Sequence, residues 1–221
     1  MKTVAVVMPS TESEDRSYWK QAVASIAKQT YDPKQIALIQ VIRREVGHEV
    51  PPAETDDRIG RIITVDYPVK QDAPLSIFFQ VETGNKIAIR DLGTDFIMAF
   101  TANDIMCSTL VEDAIRSFED DNKRLVVYGD YAVFSEKCLR TRPILLRGGI
   151  SLSDFCSRNH VSDPGTMIRT DLWNSVPYDP TPDRASYWIW WIKIMERFGP
   201  DAFYHIDKIE WLYRWGHEGQ T

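Results

Sequence analysis

Two short polar stretches stand directly after apolar runs in this 221-residue chain. Pro9-Ser10-Thr11-Glu12 follows the run Thr3 to Met8, and Thr101-Ala102-Asn103-Asp104 follows Asp95 to Phe100. Open α/β sheets take their ligands just beyond the carboxyl ends of buried strands, so these two loops are the first candidates for a binding site. Other chemistries are less well served. The loop PSTESEDR is acidic and has no glycine, unlike a loop built to cradle a triphosphate. Three cysteines, Cys107, Cys138 and Cys156, form no Cys-x-x-Cys spacing, which argues against structural zinc and a disulfide framework. They read as small buried or half-buried residues of a protein in a reducing compartment, and a cytoplasmic location is expected.

The elements that must position these loops follow from hydrophobic periodicity. Thr3 to Met8, Ile36 to Ile42, Ile59 to Val65, Asp95 to Phe100 and Leu125 to Tyr128 are short apolar runs of strand length. Between them, Trp19, Ala22, Val23, Ile26 and Ala27 recur at helical spacing, with Asp15 or Ser17 as the cap. Ser76 to Asp91 reads as a second helix with Ile77, Val81 and Ala88 inward. Leu110, Val111, Ala114, Ile115 and Phe118 mark a third. Strands alternating with helices predict a parallel sheet covered on both faces. Arg140 to Asp163 reads as irregular and moderately basic, and Gly165 to Arg169 as a short strand. Tyr187 to Phe198 reads as a largely buried helix, and Tyr204 to Trp215 as strand and loop.

Composition limits the class. Hydrophobic residues make up 43% and charged residues 26%, ordinary values for a globular protein. The net charge of -6 gives no global attraction to nucleic acid or anionic lipid. No apolar stretch is long enough to span a membrane. The opening MKTVAVVMPSTESED reads as a strand and not a signal peptide. No linker interrupts the chain. A single domain is expected, with a nucleotide-type half over about 1–139 and an acceptor half over about 140–221.

Several segments, in order, resemble glycosyltransferase family 2. VAVVMPS and SYWKQAVASIAKQTYDPKQIALIQVI are similar to that family's opening strand, helix, Gln-Thr-Tyr-like turn and second strand. GNKIAIRDLGTDFIMAFTAND resembles its Arg-Asn helix, turn, strand and Asp-x-Asp loop. GTMIRTDLW, YWIWWIKIMERFG and WLYRWGH resemble its later strand, its Trp helix and its closing Tyr-Arg-x-x-His. The resemblance implies a GT-A fold, a Rossmann-like, mostly parallel α/β sheet flanked by helices. It also implies transfer of a sugar from a nucleoside-diphosphate sugar to an acceptor hydroxyl, by inverting direct displacement.

The same resemblance assigns residues. Pro9, Ser10, Glu12, Gln40 (or Glu45 in its place), Asn85, Lys86, Thr101, Ala102 and Asn103 fall at nucleotide-binding positions. Asn103, Asp104 and His217 fall where a Mn²⁺ or Mg²⁺ ion would be held, and that ion would neutralise the departing diphosphate. This chain departs from the pattern. Thr101 and Asn103 replace the two acids of Asp-x-Asp, leaving Asp104 as the charged group and a weaker cation site. The alternative for Asn103-Asp104 is a cap for the helix that follows, and for Lys86 a solvated helix lysine. Arg214 either neutralises phosphate or pairs with an acid. The family's Glu-Asp pair, which carries the base, falls on Ser186-Tyr187, so Asp183 is the expected base; its alternative is a turn residue after Pro182. Two functions remain open: a transferase, or a catalytically degenerate relative that binds a nucleotide or a partner without turnover. The acceptor is not encoded in any motif: a saccharide, a lipid-linked sugar, a protein and a modified DNA base all fit. For the last, the basic residues Arg140 to Arg158 are the one supporting feature.

Overall fold

A computed structural model describes residues 1–70, 77–135, 138–179 and 186–215, excluding the side chains of 138–140. Among them are nine strands: β1 (Val4–Thr11), β2 (Ile36–Glu45), β3 (Arg61–Val69), β4 (Phe96–Ala99), β5 (Ile105–Met106), β6 (Val126–Ser135), β7 (Cys138–Ile144), β8 (Met167–Arg169) and β9 (Phe203–Arg214). The helices are α1 (Arg16–Ile26), α2 (Ile77–Ile87), α3 (Leu110–Asp120), α4 (Leu152–Ser157), α5 (Thr170–Ser175) and α6 (Ser186–Phe198). One sheet holds every strand, in the order β3-β2-β1-β4-β8-β6-β9-β5, with β7 paired to β6. The long ladders β1–β2, β2–β3 and β6–β9 are parallel, as is β1–β4. Antiparallel pairing enters where short β8 lies between β4 and β6, where β5 adds beside β9 at one end, and where β7 pairs with β6.

Alternation along β1 builds two cores. Val4, Val6 and Met8 face α1 and α3, through Trp19, Val23 and Ile26 and through Val111, Ile115 and Phe118. Ala5 and Val7 face α2, α4, α5 and α6, through Val81, Phe155, Leu172, Trp190 and Trp191. A period of two on the strand and of 3.6 on each helix brings these stripes together. Each fully buried large side chain contributes roughly 2–3 kcal/mol. The helix starting at Arg16 is capped by Asp15, whose Oδ1 accepts from Ser17 N at 2.8 Å.

Several elements differ from expectation. β1 runs on through Pro9 to Thr11. Val7 O accepts from Phe100 on the β4 side, while Glu12 N donates to Arg43 O on the β2 side. Alternation therefore turns Pro9 toward β4, beyond its last residue Ala99, where no N–H is required. Ile77 is 39% exposed, not inward, because it stands at the first turn of α2. The inner face of that helix is set by Val81, Gly84 and Ala88. The stretch 140–163 is not irregular. It holds most of β7, whose Arg142 and Pro143 suit an outer strand, and α4, closed by a Ser151–Asp154 capping box. The helix α6 keeps an exposed stripe at Ile189, Lys193 and Glu196. Cys156 is exposed, on α4, and Cys107 is half-buried.

Candidate functional site

Parallel pairing brings the carboxyl ends of β1, β2 and β4 to one edge of the sheet. The α2 helix closes over that edge. Gly84 makes this possible, since a Cβ there would lie 2.3 Å from Val7 Cγ1. From the neighbouring turn, Gln80 donates to Ser10 O at 2.8 Å and to Val41 O at 2.7 Å, clasping β1 to β2. The Ser10 hydroxyl, buried at the strand end, has no protein partner. Asn85, 2% exposed, likewise leaves its Oδ1 without one. Leaving such an atom unpaired in the interior costs about 1–3 kcal/mol, so both invite a ligand group or a water.

The remaining expected nucleotide residues are partly claimed by the fold. Glu12 Oε1 accepts from Glu45 N at 3.1 Å and meets His48 Nδ1 at 2.9 Å, tying the loops after β1 and β2 together. Gln40 exchanges hydrogen bonds with the backbone of Glu54, whose carboxylate pairs with Arg16 at 2.7 Å. Lys86 points to solvent and pairs with Glu82 one turn back at 2.7 Å. Ala102 is fully buried among the core side chains on the α1 and α3 face. Glu14, absent from the expected set, accepts from Thr11 N at 3.0 Å and Trp19 Nε1 at 3.2 Å, and burial raises its pKa.

The loop after β4 is held from within. Asp104 is 0% exposed. Thr101 Oγ1 donates to its Oδ2, and Arg214 N donates to its Oδ1 at 2.9 Å. The Arg214 guanidinium donates to Asn103 O at 2.9 Å and to Gln21 Oε1 at 2.8 Å, between the rings of Tyr18 and Phe134. Burial pushes the Asp104 pKa up to about 7, against the two hydrogen bonds that favour the anion. Both carboxylate oxygens thus already have protein donors. Among the described residues, no three or more His, Cys, Asp or Glu side chains come together in a way that could hold a metal ion. The donor set described here does not fit a divalent cation. His217, the third expected ligand, lies outside the described residues.

Next to this edge, β6, β9 and the segment 159–164 enclose a cleft of about 290 Å³. Tyr131 stacks on Trp211 at 4.6 Å between centroids, and Tyr213 meets both edge-on. Trp211 Nε1 and Ser162 Oγ are buried there without partners. Asp163 borders this cleft and also a pocket of about 10 Å³, the size of one water site, that it shares with Asn85, Ala99, Tyr187 and Trp191. Trp191 Nε1 donates to Asp163 Oδ1 at 3.3 Å. Enclosure raises its carboxyl pKa to about 7. No motif marked this acid, because Asp-Pro-Gly reads locally as a turn. Asp183, the expected base, lies outside the described residues.

Sheet order and the crossover helices together define the GT-A fold. Solved structures share it. A crystal structure of S. aureus TarS matches 97% of this chain and 37% of its own, with a TM-score of 0.67 and 13% identity. S. aureus TarS 1-349 in complex with UDP matches 97% of this chain and 60% of its own, with a TM-score of 0.64 and 12% identity. The UDP-GlcNAc complex of the same fragment gives a TM-score of 0.61 and 14% identity over 100% of this chain and 60% of that one. The chain therefore spans between 37% and 60% of the length of these solved chains. At such identities the likeness establishes the fold. No family model matches the sequence, and no curated protein matches it. No described helix is long and apolar enough to cross a membrane.

Proposed function

We propose that this chain binds a nucleoside-diphosphate sugar at the carboxyl ends of β1, β2 and β4 and transfers the sugar to a hydroxyl held in the adjoining cleft. One observation carries the reading: buried polar atoms without a protein partner line this edge and the adjoining cleft, while others, such as Thr170 Oγ1 and Tyr178 Oη, lie elsewhere. Ser10 Oγ and Asn85 Oδ1 lie on the donor side, and Trp211 Nε1 and Ser162 Oγ in the cleft. The fold it shares with TarS, solved with UDP and with UDP-GlcNAc, supports a uridine nucleotide as the first donor to test. The half-buried rings of Tyr131 and Tyr213 suit a saccharide acceptor, since an aromatic face covers the C–H face of a sugar ring. A lipid-linked sugar fits the same rings through its sugar.

The reaction is direct displacement. The acceptor oxygen attacks the anomeric carbon, the bond to the diphosphate breaks, and the configuration inverts with no covalent enzyme intermediate. Mn²⁺ or Mg²⁺, if it binds, would neutralise the departing diphosphate. Calorimetry with UDP, with and without Mn²⁺, tests the donor site. A panel of UDP-, GDP- and TDP-sugars, with nucleotide release as readout, tests turnover. Absence of nucleotide binding under all these conditions would overturn the reading.

The buried state of Asp104 favours a second reading, a binder without chemistry. It predicts metal-independent affinity for UDP and no product from any donor.

A further inference from the structure

The structure points to Asp163 as the general base of the proposed transfer, supplied from the loop before β8 in place of the start of α6. This inference rests on the donor-and-cleft reading above. The alignment of the Trp helix puts the acid positions of the resembled family on Ser186 and Tyr187, and both are buried and lack a carboxylate. Beside them stands a carboxyl group from another part of the chain. Asp163 shares the small buried pocket with Tyr187 and Trp191, and its other side opens on the 290 Å³ cleft.

Three contacts fix it there. Trp191 Nε1 holds Oδ1 at 3.3 Å, and the Asn159 side chain adds a second hydrogen bond. Gly165 N donates to Ala99 O at 3.0 Å, which pins the loop to the end of β4, two residues before Thr101. Gly165 has φ of 76°, and a Cβ there would lie 2.7 Å from Trp211 Cδ1, so the loop can approach the cleft wall only through a glycine. The unpartnered Asn85 Oδ1 faces the same pocket from the donor side. Asp163 is thus the carboxylate common to donor edge and acceptor cleft among the described residues.

The step balances simply. The acceptor O–H proton passes to the Asp163 carboxylate as the oxygen forms its bond to the anomeric carbon. The anomeric C–O bond to phosphate breaks, and the nucleoside diphosphate leaves with the electron pair. A base is most effective when its proton affinity lies near the working pH, and the enclosure of Asp163 moves it that way, to about 7. Among the described residues, the titratable groups facing it are Tyr178, Tyr187 and His160 and, in the cleft, Tyr131 and Tyr213. Burial holds Tyr178 and Tyr187 protonated far above neutrality, and burial with Arg158 nearby lowers His160.

The test compares Asp163→Asn, Asp163→Glu and Asp183→Asn by UDP calorimetry, by UDP release from the sugar-nucleotide panel and by thermal unfolding. Asp163→Asn keeps an oxygen for Trp191, and should lower kcat by about 100-fold or more while UDP affinity stays within about two-fold. Asp163→Glu should recover part of that loss. Wild-type kcat/KM should rise with pH to a plateau above about 7, and this limb should vanish in Asp163→Asn. A purely structural role would alter unfolding without removing the limb. Wild-type turnover in Asp163→Asn, or loss of turnover in Asp183→Asn alone, overturns the assignment. UDP binding with no turnover from any donor overturns the base and leaves the donor site standing. No UDP binding at all removes the site and the base together.

Discussion

The backbone N–H of Arg214 donates to Oδ1 of Asp104 across 2.9 Å in the interior of the protein. A residue near the end of the last strand therefore closes the loop after β4, and the acid that stands beside the altered Asp-x-Asp is spent on architecture. Asp104→Ala leaves that buried N–H and the Thr101 hydroxyl without a partner, and is expected to destabilise the fold by about 2–3 kcal/mol. Asp104→Asn keeps an acceptor for Arg214 and should cost less. Urea unfolding of the two variants measures the difference, and equal losses would show that the clasp contributes nothing.

Stability should fall as pH rises through neutrality. Burial pushes Asp104, Asp163 and Glu210 each up to about 7. The unfolded chain releases these protons near pH 4, so between about 4 and 7 the folded state holds more of them. Their contribution is complete below the unfolded value and is lost as pH rises through the folded one. His160, lowered by burial and by Arg158, works in the opposite sense below its ordinary value. Three carboxyls outweigh one imidazole, and the urea midpoint is expected to be higher at about pH 5.5 than at about pH 8. A midpoint that climbs over this range would contradict the burial of these acids.

Gly84 and Gly165 are predicted to resist even alanine, for different reasons. At Gly84 the added methyl would meet Val7 Cγ1 at 2.3 Å and force α2 off the sheet, at a cost of about 1–3 kcal/mol. At Gly165 the positive φ adds strain to the contact with Trp211, and the shift falls on the loop bearing Asp163. Gly84→Ala should show mainly in unfolding, and Gly165→Ala in turnover as well.

Lys86 separates the linear pattern from the folded one. Its ammonium pairs with Glu82 on the solvent face of α2. Lys86→Ala is expected to change stability by no more than about 0.5 kcal/mol and to leave the UDP dissociation constant unaltered. A ten-fold weaker UDP isotherm would return this lysine to the donor site.

The parallel strands and the inner faces of α1 and α3 were legible in the linear order. Trp19, Val23 and Ile26, and Val111, Ile115 and Phe118, are buried as their spacing predicts. The reason is local: periodicity records which side of an element meets water, and that side is the same in any well-packed arrangement. The loop after β4 was legible for the same reason, as a polar break after a buried run, whereas Pro9-Ser10-Thr11 continues β1 and is not a loop. Ile77, β7 and α4 were not, because their burial depends on what lies at a sheet edge or a helix end. The use of each polar side chain was also beyond the sequence. Asp104 turns inward because Arg214, 110 residues later, brings its N–H there. Lys86 turns outward because Gly84 fixes which face of α2 meets Val7. Asp163 meets Trp191, and its loop meets Ala99 through Gly165, only when β8 inserts between β4 and β6. Composition and period determine what is inside; long-range pairing decides which polar groups are consumed by the fold and which are left for a ligand.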